Sequence, residues 1–345
     1  MESLVPLANW QDPASRRREA LRALQERDEG ALQALLQVYL QTKSRKRTAL
    51  SPRTLETYQL ALRDYLSWIW PKEAPAPRFP LQKATSDDLD RYLAELQARG
   101  GHLTASPKPF RPAAAATYLA GIRAFYRALE WAGVAHPPHV SAPHDPTPAY
   151  ERRPALPPSL YQTLLQRLTP QDPRSLRDRV AVRLMGEGGL RISEVVALNL
   201  EDLLLPERLL LVRKGKGGKA RSLPLSRSLI EDLQHWLKVR ASHAWPHETA
   251  LLVHLRGRKA GGRRMGARGL REILNRYYRE LGFPARYSGA HILRHTAGTR
   301  FYRVSRDLQA TARILGHADV STAAIYAKMD VEGLYELVDR AEEEL

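Results

Sequence analysis

The first part of the chain is patterned at the helical period. "SPRTLETYQLALRDYLSWI" spaces Leu55, Tyr58, Leu62, Tyr65, Leu66 and Ile69 three or four apart, behind a cap at Ser51 and a proline at the first helical position. "TSDDLDRYLAELQARGG" opens on acidic residues, carries Leu89, Tyr92, Leu93 and Leu96 on one face and stops at a glycine pair. "AAAATYLAGIRAFYRALEWAG" is rich in helix formers and ends at Gly133, and "REALRALQERDEGALQALLQVYL" lies ahead of these stretches with the same spacing. The pattern predicts an all-helical body over 29–135, preceded by a helical extension over 1–28 that contains "ASRRREALRALQERDEG".

The window 133–158 then holds eight prolines, which block helix and sheet ladder alike, so an extended linker is expected over 136–156. After it the pattern is mixed. In "LLLVRKGKGGKARSLPL" two short apolar runs surround a Gly-Lys turn, which predicts a hairpin with a charged tip. Helical patterns follow at about 226–240, 266–281, 291–304, 307–315 and 320–327. The last stretch, "DVEGLYELVDRAEEEL", sets Val331, Leu334, Leu337 and Val338 on one side; it is expected to pack on its own domain or to dock on a neighbouring subunit. The fold class expected is therefore mainly α in two domains: a helical bundle, and a mostly helical α/β domain with a small antiparallel sheet, over 157–345.

Composition changes the picture in three ways. A chain of 345 residues is long for one core and fits two. Its 54 lysines and arginines against 37 acidic residues give a formal charge of +17, a field that suits a polyanion, nucleic acid ahead of an anionic membrane. It has no cysteine, which excludes disulfides, thiolate nucleophiles and Cys-based zinc sites. No run approaches the roughly 20 apolar residues of a spanning helix, and "MESLVPLANWQDPASRRREA" lacks an apolar signal core, so a cytoplasmic protein is expected.

Four stretches of the second domain carry residues suited to phosphate chemistry. "GGLRISE" places Arg191 after a glycine pair at a helix start. "KGKGGKAR" sets Lys216 between glycines that let backbone approach an anion. "HILRH" puts His291 and Arg294 on one helix face. "LGHADVSTAAIYAK" supplies His317 and, nine residues on, Tyr326. Each has a plainer reading: a solvated arginine, an exposed hairpin tip, a core tyrosine among 14. His291 and His295 have the spacing of a zinc half-site, but Ile292 stands where a glutamate is usual and no third ligand is evident, so no metal is expected. The glycine loop lacks the Ser or Thr after lysine that a nucleotide-phosphate loop needs, so no nucleotide cofactor is expected either.

In their order, "GLRISE", "GKGGKARSLPL", "HILRH" and "LGHADVSTAAIYAK" resemble the tyrosine recombinase (phage integrase) family, and most closely its Xer branch. The resemblance covers about 155 to the end; the first domain is similar in type to the family's helical core-binding domain. It implies that Tyr326 is the nucleophile attacking a DNA phosphodiester, giving a 3′-phosphotyrosyl link and a free 5′-hydroxyl. Arg191 and Arg294 would clamp the phosphate, Lys216 would be the general acid, His291 would assist as acid or base, His317 would hydrogen-bond the phosphate, and Glu194 would orient the basic groups. Lys214 or Lys219 is an alternative acid. It further implies double-stranded DNA at a specific site as partner, a tetramer on two sites exchanging a C-terminal helix at about 330–345, and a nucleoid-associated place in the cytoplasm. Xer-branch proteins often act as a related pair with a membrane-anchored DNA pump to resolve linked chromosomes; plasmid and phage roles share these motifs. Two other functions fit parts of the pattern: a monomeric type IB-like topoisomerase, and a noncatalytic DNA-binding protein of the same fold.

Overall fold

The computed structural model describes residues 8–44, 50–72, 76–103, 107–148, 151, 154–213, 220–255, 261–316 and 323–329. The chain divides into two compact units, Met1–Pro146 and Thr147–Leu345.

The first unit is helical: α1 (Ala8–Gln11), α2 (Pro13–Gln25), α3 (Glu29–Thr42), α4 (Pro52–Ile69), α5 (Ser86–Ala98) and α6 (Pro112–Trp131). Its starts are capped by residues that favour that position. Asp12, Asp28 and Ser51 each accept from a backbone N–H of the first turn, and Thr85 with Asp88 forms a reciprocal box. One core gathers Leu32, Leu35 and Leu36 of α3, Leu62, Tyr65 and Trp68 of α4, Tyr92 of α5, and Leu119, Ile122 and Phe125 of α6. The extension belongs to this core: Trp10, Ala20, Ala23 and Leu24 are buried in it. Arg16 lies over the Trp131 ring at 3.8 Å and donates to the Trp131 and Trp10 carbonyls, which ties α2 to the end of α6.

Both ends of the proline-rich stretch are docked within their own units. Val140 is buried in the first core, and its carbonyl accepts from Arg123. Leu156 is buried in the second core, and its N–H donates to Thr296 Oγ1 at 2.9 Å. No regular element occupies 134–148, as the missing proline donors require.

The second unit carries α7 (Pro158–Arg167), α8 (Pro173–Gly186), α9 (Ile192–Ala197), α10 (Arg227–His243), α11 (Ala267–Glu280), α12 (His291–Ser305), α13 (Leu308–Leu315) and α14 (Ala324–Met329). The expected hairpin is present: β2 (Leu209–Val212) pairs antiparallel with β3 (Arg221–Pro224), with Leu210 opposite Leu223. The sheet has a third strand, β1 (Leu203–Leu204), against β2. Helix α8 runs through the core and is buried nearly all round, including Arg177, Asp178 and Arg183. Its charges are paired: Arg177 with Asp178, which also accepts from the Tyr277 hydroxyl, and Arg183 with Glu187 and Asp232. Among the described residues no helix is long and apolar enough to cross a membrane.

Candidate functional site: an arginine cluster beside a buried tyrosine

The site is assembled by two turns that place motifs distant in sequence side by side. Gly189 has a φ of 68°, a left-handed conformation that glycine adopts without strain, and a Cβ there would meet Leu315 Cδ2 at 2.3 Å. The chain can therefore end α8, turn, and start α9 directly beneath the end of α13. Arg191 caps α9, and Glu194 reaches back to accept from the Arg191 backbone N–H at 2.9 Å. At the other wall Gly316 ends α13 with a φ of 66°, leading the chain toward His317.

Glu194 is the hub. Its side chain is 2% exposed, and it pairs with Arg191 at 2.8 Å and with Arg221 through two bonds of 3.1 and 2.9 Å. Arg294 Nη1 stands 3.9 Å from the same carboxylate. Three guanidinium groups around one carboxylate leave surplus positive charge in a largely dry place, which a phosphate would neutralise. Burial pushes the Glu194 pKa up, but hydrogen bonds from Arg221 and the Arg191 amide, with both arginine charges, outweigh it and hold the carboxyl below its usual value.

Arg294 sits on the inner face of α12 and is held by backbone rather than by acid. It donates to the Gly189 carbonyl and to the Leu315 carbonyl at 2.7 Å, so it bridges the turn before Arg191 and the end of α13. Burial, and then the neighbouring Arg191 charge, push its pKa down to about 10, while an ionised Tyr326 and Glu194 pull it the other way. It remains a cation at neutral pH. Of the two expected clamp residues, Arg191 is the more open, with 18% of its side chain exposed against 5% for Arg294.

Tyr326 lies on α14, whose ring packs against α12. It is 1% exposed, in a small apolar cluster with Ala312, Leu315 and Ala323, edged by Phe301, Tyr302 and Leu308. Gly298 makes the seat: a Cβ there would fall 2.3 Å from Tyr326 Cε1. The His295 ring lies 5.9 Å away, centre to centre. His291 begins α12 and is exposed, one turn before Arg294. The structure thus brings Arg191, Glu194 and Arg294 together, with Tyr326 on the helix packed beside them. Lys216, its alternatives Lys214 and Lys219, His317 and the stretch 330–345 lie outside the described residues.

Arg221 was not among the residues singled out from sequence. A signal was present: in β3, Arg221 and the buried Leu223 are two apart and so share a face, which puts a guanidinium on the inward side of a strand.

Two further surfaces carry exposed basic groups. In the first unit a groove of about 490 Å³ is lined by Tyr39, Lys43, Thr54, Tyr58, Arg123 and Arg127, among others. In the second, α11 buries Leu270, Leu274, Tyr277 and Tyr278 and exposes Arg268, Arg271, Arg276 and Arg279.

Comparison with known proteins agrees along most of the chain. Residues 155–332 match the phage integrase family, and residues 37–133 match the phage integrase N-terminal SAM-like domain. The tyrosine recombinase XerC of Azotobacter vinelandii is 36% identical over 73% of this chain and 79% of its own. XerC of Psychromonas ingrahamii is 28% identical over 90% of this chain and 97% of its own. The XerH site-specific recombinase, solved bound to a palindromic difH substrate after cleavage, shares the fold with a TM-score of 0.69 at 18% identity, covering 90% of this chain and 95% of that one.

Proposed function

Since the chain belongs to the phage integrase family and is an Xer-type tyrosine recombinase, we propose that Tyr326 cuts DNA at a phosphodiester held between Arg191 and Arg294. The Tyr326 oxygen forms a bond to phosphorus and the bond from phosphorus to the 5′-oxygen breaks. Lys216, in the sequence between β2 and β3, gives a proton to that leaving oxygen, His291 takes the proton that the Tyr326 phenol releases, and His317 hydrogen-bonds the phosphate. A phenol of pKa about 10 is a weak nucleophile at neutral pH, so the guanidinium charge that neutralises the phosphate is central to the rate. The observation that supports this most is the cluster of Arg191, Arg221 and Arg294 on Glu194, with the tyrosine helix packed on the same helix as Arg294.

A phosphotyrosyl link keeps the energy of the broken ester, so a 5′-hydroxyl from a second duplex can reverse the attack and join strands. The cycle then needs no nucleotide, and arginine and lysine supply the charge that divalent ions supply in other phosphoryl transfers. DNA binding at a recombination site is shared with the family. The finer reading is a clamp of both units on duplex DNA, four protomers on two sites, and a cytoplasmic role in resolving chromosome or plasmid dimers, alone or with a related recombinase and a DNA-pump activator. The basic groove of the first unit and the arginine face of α11 are the surfaces for it.

The test is covalent capture. The purified chain is mixed, without metal or nucleotide, with nicked suicide duplexes drawn from fragmented host DNA, and denaturation-resistant adducts are sequenced. Wild type is expected to give adducts at few sequences and Tyr326→Phe none. Adducts that persist in Tyr326→Phe would assign the nucleophile elsewhere; relaxation of supercoils with no preferred sequence would favour the topoisomerase reading.

A further inference from the structure

The three arginines of the cluster do not share one environment. Arg191 and Arg294 are the pair that the function proposed above sets on the phosphate, whereas Arg221 turns both terminal nitrogens onto Glu194, in the two-point geometry that a guanidinium alone among side chains can offer a carboxylate. Arg221 is also the first residue of β3, five positions after Lys216 in the sequence. Its other side presses on the turn before His317: a Cβ on Gly316 would meet Arg221 Cδ at 2.9 Å and Nε at 3.1 Å. That Nε–H is buried with no acceptor among the described residues. One side chain thus holds the acid that pairs with Arg191, lies close enough to Arg294 for their charges to interact, and crowds Gly316.

We propose that Arg221 is a positioning residue for strand cleavage, acting through Glu194 to fix the Arg191 and Arg294 guanidinium groups. Glu194 has two arginines competing for its two oxygens. With Arg221 in place, one oxygen of Glu194 faces Arg191 Nη1 and the other its backbone amide, so the remaining Arg191 donors are left for a ligand. Without it, Glu194 is free to rotate onto Arg191 or Arg294 and draw either away from the phosphate. A displacement of this kind, of about 1 Å, costs roughly a hundredfold in rate while leaving affinity for DNA nearly intact, because most binding energy comes from phosphate contacts elsewhere.

The inference rests on the reading of Arg191, Arg294 and Tyr326 given above, and its test separates the two. The full chain is assayed for single-turnover adduct formation on a suicide duplex carrying a sequence recovered by covalent capture, with DNA affinity measured in parallel and rates corrected for the folded fraction. R221Q is expected to form adduct about a hundredfold more slowly at unchanged affinity. R221K keeps the charge but not the fork and is expected to stay at least about tenfold slow; it also carries the test if R221Q does not fold. The double variant R221Q/E194Q is expected to be no slower than E194Q alone, since the two act as one unit. Wild-type rates in R221Q, full recovery in R221K, or additive losses in the double variant each overturn the proposal. Adduct formation by Tyr326→Phe would instead overturn the underlying site assignment.

Discussion

Glu194 ties the ionisation of one carboxyl to the geometry of the whole cluster. Its folded pKa is held below its usual value of 4.5, so it contributes stability that is complete above that value and is lost as pH falls through the folded one. Urea unfolding followed from about pH 6 down to about pH 3 is expected to show this loss in the wild type and a flatter profile in Glu194→Gln. Arg294 makes a different demand, because its donors go to two backbone carbonyls that lie apart in sequence. Arg294→Lys cannot span them, and adduct formation is expected to fall by about 10² to 10³, as when a preorganised donor is removed from an active site. Equal rates for Arg294→Lys and wild type would show that charge alone is needed. Arg221 marks where single-residue reading stops: one arginine among the 54 basic residues of this chain carries no signal until a strand is known to turn it inward.

Elements repeat the lesson with more success. The helices of the first unit were legible because caps, apolar period and glycine stops agree; Ser51 does accept from Thr54 N–H, and Gly133 follows α6 with a φ of 71°. The β2–β3 hairpin was legible from its two apolar runs. Strand β1 was not, since two leucines beside an acidic turn fit helix or strand equally well and pair only because β2 is there. The seat of Tyr326 was also hidden: Gly298 sits inside a helix, where glycine is unfavourable, and only the packed ring explains the space it leaves. Gly189→Ala tests how strictly the elements depend on such fits. It forces a side chain into a positive φ and into Leu315, so unfolding is expected to become easier by about 1 to 3 kcal/mol, with a larger loss of cleavage than of DNA binding as Arg294 loses its carbonyl. Denaturant midpoints and gel shifts on the same sample read both.

At the scale of the whole molecule, the described residues gather into one main apolar core in each unit under a single excess of charge. The buried apolar clusters of the two units share no residue, so calorimetry is expected to show two transitions, and Leu36→Ala to lower only one of them. The formal charge of +17 predicts binding to nonspecific duplex that weakens steeply with salt; if about six to ten phosphates are neutralised, affinity drops about 10³ to 10⁵ between roughly 50 and 200 mM. A shallow slope would mean that most of this charge faces away from DNA.

Such a chain meets duplex far more often than it meets its site, and the burial of Tyr326 bears on that imbalance. On the reading proposed above, with Tyr326 1% exposed, cutting would be a two-part event in which the phenol first leaves its apolar seat. On that reading a brief contact along the genome that ends before the seat opens would leave no nick, and dwell time itself would become a filter on where strands are broken.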